Sequence, residues 1–419
     1  GQPATAVLAE RLPGLVASLK FDKTMRWNQT NVAFSRPIRW LVALLGNAVI
    51  PFEYAGVASG RITLGTRADG SPALKIKRAA DYLDTLREQS IIADVDARRA
   101  VIQKQIVKLA ESVGGEIVDL PGLLDEVTNL VEQPTALLGH FEESYLALPR
   151  DVLVTVMRKH QRYFPLQKDG QLLSYFVAVR NGGKRHLSTV MHGNEGVLRA
   201  RFADAEFFFR HDTSVRLDDF LPRLGTLTFQ EKLGSVLDKV RRIEQLTPRI
   251  AEMLGLSEQE SRVASRAAHL CKADLATQMV VELTSLQGVM GREYALRQGE
   301  SPDVAQAIWE HYLPRYVGDQ LPRALPGIAV GLADRLDSLV GLFAVGLAPT
   351  GSADPWALRR AALGVVQVLV ENVAPFSLRR ALEAAAEVLP AGVAANRGAT
   401  LSDVHAFILG RLRVLLLDE

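Results

Sequence analysis

A single cysteine, Cys271, stands among the 419 residues. A lone thiol excludes an intramolecular disulfide and any zinc site built from several cysteines, and it fits a reducing, cytoplasmic setting. Long apolar runs are missing too: Gly, Arg or Pro breaks each one well short of the ~20 residues that span a bilayer, so no membrane segment is expected. Nor is there a large charge of either sign. Lys and Arg number 49 against 47 Asp and Glu, a formal charge of +2, so any nucleic-acid site must be local. No repeat of fixed period and no low-complexity tract is found. Gly1-Gln2-Pro3 has no initiator Met, basic flank or apolar signal core, and Leu415-Leu416-Leu417-Asp418-Glu419 stops directly after a helical pattern. Both ends read as cut from a longer chain.

What is present is ordinary folded protein. A hydrophobic fraction of 48% with 23% charged residues argues against disorder, and the length suggests two or three domains. The first ~190 residues mix periods. Strands are expected over 32–45, 49–57 and 61–66, and helices over 94–112, with Gly114-Gly115 as its stop signal, over 123–132, closed by Pro134, and over 151–159. Residues 163–167 and 171–179, separated by Lys168-Asp169-Gly170, predict a hairpin, because Asp-Gly tolerates the positive φ of a tight turn. After Gly193 the strand signals fade and helical spacing dominates from Glu195, as in Leu233, Val236, Val240, Ile243 and Leu246. Pro302, Pro314, Pro322, Pro326, Pro349, Pro355 and Pro375 punctuate this half into helices of ordinary length. The fold class is α+β, with an α+β domain over 1–193 and a helical region over 194–419.

Several stretches, in order along almost the whole chain, carry a family resemblance. They are Met25-Arg26-Trp27 with Phe34-Ser35-Arg36-Pro37-Ile38-Arg39-Trp40, then Glu126-Val127-Thr128-Asn129-Leu130-Val131-Glu132-Gln133-Pro134, then Lys159-His160-Gln161-Arg162-Tyr163-Phe164-Pro165. There follow Arg199-Ala200-Arg201-Phe202-Ala203-Asp204-Ala205-Glu206-Phe207-Phe208-Phe209, Thr284-Ser285-Leu286-Gln287-Gly288-Val289-Met290-Gly291 and Asp354-Pro355-Trp356-Ala357-Leu358-Arg359-Arg360-Ala361-Ala362. Together they resemble the beta subunit of the bacterial heterotetrameric glycyl-tRNA synthetase. The resemblance implies a domain similar to the editing-like module of phenylalanyl-tRNA synthetase, followed by a helical HD-type domain. It further implies an alpha subunit and tRNA(Gly) as partners, adenylate formation with ATP and Mg on that alpha subunit, and an N-terminal segment and anticodon-binding region outside this sequence. Residues 64–70, Leu-Gly-Thr-Arg-Ala-Asp-Gly, depart from the family's frequent Gly-His-Arg-Phe.

An HD-type phosphohydrolase needs a His, a His-Asp pair and a later Asp converging on a divalent metal. Here a helix expected over 266–280 carries His269 and then Ala273-Asp274 where the pair should stand, and a later helix carries Asp334 and Asp337. Ala273 cannot ligate a metal, and His269 and His211 have no evident second partner, so Asp274, Asp334 and Asp337 are expected to cap or pair within a helical scaffold. The one literal His-Asp pair, His211-Asp212, lies where an aromatic helical pattern runs out and suggests a helix-end or surface role. Gly182-Gly183-Lys184 lacks the glycine spacing and the following Ser or Thr of a P-loop. No catalytic residue and no metal ligand is nominated.

Two further patterns are weighed. The aromatics within 202–209 read as core packing, with base stacking as the lesser alternative. Lys232, Lys239, Arg241, Arg242 and Arg249 among Glu231, Asp238 and Glu244 read as a mixed solvated face.

The strongest local charge signal lies within 155–186. Arg158, Lys159, Arg162, Lys168, Arg180, Lys184 and Arg185 stand there against one acid, Asp169, with Tyr163, Phe164, Tyr175 and Phe176 interleaved. That mixture suits phosphate neutralisation with stacking on unpaired bases, and these seven cations are the tRNA-binding candidates. The alternative is a basic hairpin packed by its aromatics and solvated by its Lys and Arg. The function expected is that of a tRNA-binding, non-activating subunit of glycine–tRNA ligase. Its rivals are an HD-type metal phosphohydrolase acting on nucleotides or RNA, and a purely structural assembly subunit.

Overall fold

The computed structural model describes residues 1–351, 353–372, 376–393 and 397–418. Pro375 and Glu419 lie outside them. The chain forms two units, Gly1–Leu146 with Val156–Ala200, and Ala147–Thr155 with Arg201–Glu419.

The first unit is built on a four-stranded antiparallel sheet in the order Glu116–Ile117, Phe164–Lys168, Gln171–Asn181, Pro134–His140. Helix Val95–Ser112 starts at Asp94, whose side chain accepts from the Ala97 amide at 2.7 Å, and Gly114 takes up a positive φ just past its end. Its residues Ile102, Ile106 and Ala110 recur every four positions, and they pack with Leu123 and Val127 of helix Leu123–Leu130 and with Phe164, Leu166 and Val177 of the sheet as one core. The expected hairpin forms. Lys168 pairs with Gln171, and Asp169 and Gly170 both carry positive φ, 49° and 79°, as a two-residue type I′ loop requires. Gly139 sits opposite Phe176, whose ring occupies the place a Cβ would take.

Several sequence expectations for the first half of the chain are corrected. Over 32–45 only Leu41–Val42 and Leu44–Leu45 are strands, because Pro37 offers no amide and Gly46 turns the chain back so that Leu45 pairs with Ala48. The 49–57 strand is divided: Ala55 and Gly56, φ 54° and 76°, form a tight turn between Glu53–Tyr54 and Val57–Gly60. Pro134 does not merely close a helix; it opens an edge strand, where its missing amide removes no essential ladder bond. The helix expected over 151–159 is α-helical only over Arg150–Thr155 and continues as a π-turn over Val156–Gln161.

Among the described residues the second unit is almost entirely helical, with a short hairpin of Thr228–Gln230 against Gly234–Ser235. Helix Val236–Met253 begins with a reciprocal Ser235–Asp238 capping box and buries Val240, Ile243 and Leu246. Helix Glu258–Leu270 begins in the same way with Ser257 and Glu260. Helix Leu325–Ala344 runs through the middle, buried from Pro326 to Ala333; Gly331 lets the His311 backbone approach to where a Cβ would clash. Pro302 and Pro326 lie in the first turns of their helices. The expected 266–280 helix is instead broken. It ends at Leu270, passes through a 3-10 turn over Ala273–Ala276, and restarts as Gln278–Glu282 from the Thr277 cap. Among the described residues, no helix is long and apolar enough to cross a membrane.

Candidate nucleic-acid interface and a buried charge network

The seven candidate cations divide between two ends of the hairpin. Arg158 and Lys159 are exposed on the π-turn, and Arg162 directly precedes strand Phe164–Lys168. Arg180 lies near the far end of the paired strand, and Lys184 and Arg185 follow in an exposed loop. The Arg180 guanidinium donates to the Arg185 carbonyl at 2.8 Å, and Asn181 accepts from the Glu132 and Gln133 amides at 3.1 and 3.0 Å, which ties the loop down. Lys168 sits at the turn, about 17 Å away along a five-residue strand.

The local balance also differs from the linear count. Arg162 donates to Glu126 of helix Leu123–Leu130 at 2.6 Å, and Arg158 donates to the Pro121 carbonyl at 2.6 Å. Glu126 was invisible to a count along 155–186 because it comes from another helix. The interleaved aromatics do not offer faces to bases, as the composition had suggested. Tyr163, Phe164 and Phe176 are buried, and the Tyr163 and Phe176 rings stack at 4.7 Å. Burial pushes the Tyr163 phenol up to about 12.

In the second unit, the helix read as a solvated face carries two buried cations. Lys239 Nζ lies 2.8 Å from Asp334 Oδ1 and 3.0 Å from Asp337 Oδ2, and Arg242 Nε donates to Asp337 Oδ1 at 2.6 Å. Lys272 donates to Asp334 Oδ2 at 2.7 Å and to His311 Nε2 at 2.9 Å. Burial opposes the Asp334 charge, yet Lys239 and Lys272 hold its carboxyl well below the usual range. Burial and the Lys272 ammonium push the His311 imidazole well below its ordinary value. His311 is therefore neutral, with its Nδ1 proton on the Ile308 carbonyl.

The other singled-out groups are joints. Asp274 is fully buried; its Oδ2 accepts from the Gly288 and Gly291 amides at 2.6 and 3.1 Å, and burial raises it to about 6. The expectation that Asp274, Asp334 and Asp337 cap or pair is met. Asp212 does end a helix but is no surface group. It is buried and accepts from the Gln278 and Met279 amides and the Tyr294 hydroxyl. His269 has the partners its sequence context hid: Glu244 at Nδ1 and Asp218 at Nε2. Arg266 also binds Asp218 with two bonds at 2.9 Å and lowers it to about 2. Of the aromatic run, Phe202 is core but Phe207 is 63% exposed. Among the described residues, no group of three or more His, Cys, Asp or Glu is arranged to hold a metal.

The stretches singled out in the sequence supply these joints: Glu126 to Arg162, Gly288 and Gly291 to Asp274, and Asp354 to the Leu358 and Arg359 amides. A family profile described as glycyl-tRNA synthetase beta subunit matches residues 1–419. The chain belongs to that family. A glycine–tRNA ligase beta subunit of Desulforamulus reducens is 47% identical over the whole chain, which covers 61% of that protein. The chloroplastic/mitochondrial glycine–tRNA ligase 2 of Arabidopsis thaliana is 45% identical over 99% of the chain, 39% of its own length. The Clostridioides difficile beta subunit is 45% identical over 91% of the chain, 56% of its own length. The chain thus spans about three fifths of the bacterial beta subunits it matches.

Proposed function

We propose that this chain supplies the tRNA-holding share of a glycine–tRNA ligase and works with an alpha subunit that forms the glycyl adenylate from ATP with Mg. The observation that carries the reading is the set of exposed cations at one end of the hairpin. Arg158, Lys159, Lys184 and Arg185 meet no carboxylate among the described residues, in a chain of near-balanced charge. Aminoacyl transfer needs a large polyanion held in register, and counterion release from its phosphates rewards such a cluster. Tyr163, Phe164 and Phe176 are committed to the core, so the contact is to phosphate and not to stacked bases.

Within this reading, residues 1–193 correspond to an editing-like module and 194–419 to an HD-type domain that has lost its metal set. The enzyme works in the cytoplasm. The pairing of Arg162 with Glu126 favours a second reading, a structural hairpin indifferent to RNA. A footprint of tRNA(Gly) on the reconstituted alpha–beta complex separates them. Protection at Lys159 and Lys184 supports holding, and unchanged reactivity at both defeats it.

A further inference from the structure

An open cleft of about 450 Å³ lies in the second unit, over the buried charge network. Its floor includes Asp334 and His311, and its mouth carries Trp356, Tyr316 and Arg360. Beneath the floor the charges are paired: Lys239 and Lys272 hold Asp334, and Arg335, which lines the cleft, gives its guanidinium to the His311, Tyr312 and Leu313 carbonyls. At the mouth, Arg360 is exposed and has no carboxylate partner among the described residues, whereas Arg315 is already held by Asp319 at 2.9 Å.

The mouth also presents flat surfaces. Trp356 is 38% exposed and Tyr316 58% exposed, and Phe229 braces the Trp356 ring edge-on at 6.1 Å. Unlike the hairpin aromatics, these rings are open to solvent beside a free guanidinium. Gln287 and Ser285 add polar groups to the wall. The volume falls in the range of small-molecule sites, roughly 300–1,000 Å³.

We infer that this cleft binds a nucleoside phosphate, with the phosphate at Arg360 at its mouth and the base against Trp356. Guanidinium binds phosphate strongly, and an aromatic ring takes any base face. The ammonium groups of Lys239 and Lys272 occupy the carboxylates that a hydrolytic site would give to a metal, so the ligand is held and not cleaved. A free nucleotide and an unpaired residue of an RNA strand share this chemistry.

The test is equilibrium dialysis of the chain against labelled adenosine monophosphate and, separately, single-stranded tetraadenylate. Saturable binding of either probe is expected, weakened about tenfold or more by Arg360→Ala and by Trp356→Leu. Both side chains are exposed, and circular dichroism confirms that each variant folds. Binding of the monophosphate assigns the cleft to free nucleotide; binding of the tetranucleotide alone assigns it to a strand. Monophosphate binding is read in the cleft variants and tRNA binding in the hairpin variants, so loss of tRNA holding at the hairpin and failure of the cleft are separate results. The inference is overturned if neither probe binds saturably, or if binding survives both cleft variants.

Discussion

Lys272 donates to His311 Nε2 at 2.9 Å, so the imidazole nitrogen that a metal would need is already an acceptor for an ammonium. The same ammonium binds Asp334, and Lys239 takes the other oxygen of that carboxylate. Stoichiometric divalent metal is therefore not expected in the purified chain, nor phosphohydrolase activity on added Mn or Mg. Elemental analysis and a phosphate-release assay check this, and bound metal lost on Asp334→Ala would refute it.

Asp337 is fully buried between Lys239 and Arg242, and its removal leaves the buried Arg242 without a carboxylate while Lys239 keeps Asp334. Asp337→Ala should cost about 3–5 kcal/mol in urea unfolding. Adding Arg242→Met should recover part of that loss, and a double-mutant cycle measures the coupling.

Asp274 has a folded value raised to about 6, above its usual 3.8, because burial disfavours the charge. A raised carboxyl contributes stability that is present below its unfolded value and is lost as pH rises through the folded one. Asp274→Asn keeps an oxygen for Gly288 and Gly291 and should flatten the fall in stability between pH 4 and 6. Asp274→Ala leaves those amides without an acceptor and should cost about 1–3 kcal/mol for each. Unfolding midpoints across that pH range distinguish the variants.

Replacing Arg158, Lys159, Arg162 and Lys184 by Ala should weaken tRNA binding and lower its salt slope by about 0.7 per lost single-strand contact and roughly 0.9 per duplex contact. Lys168→Ala, at the opposite end of the hairpin, should change little. Glu126→Gln releases Arg162 and should strengthen binding. Unaltered affinity and slope in the folded fourfold variant would leave the hairpin a structural element.

Without an alpha subunit the chain should not support glycine-dependent pyrophosphate exchange, since no ATP-cradling motif occurs in its sequence. Exchange by the purified chain would sink that expectation.

What could be read from sequence was set by local chemistry. Asp169-Gly170 announced its own turn, and the four-residue spacing of Ile102, Ile106 and Ala110 announced a buried helix face. Pro134 misled because a proline ending one element and opening an edge strand looks the same in one dimension. Lys239 and Arg242 misled for a related reason: Asp337, which buries them, is far along the chain, and neighbouring Asp238 and Glu244 imitate a solvated face. Glu126 beside Arg162 was hidden likewise. Pairing at a distance carries no local signature unless one partner is an unusual residue.

The segment Ala147–Thr155 belongs to the second unit, yet the first unit's sheet is completed only by Gln171–Asn181 after it. During synthesis, Val152, Leu153 and Val154 therefore emerge long before Thr284–Leu286, against which helix Arg150–Thr155 packs. At ribosomal speeds the wait is on the order of ten seconds. For that time helix Arg150–Thr155 is without this packing partner.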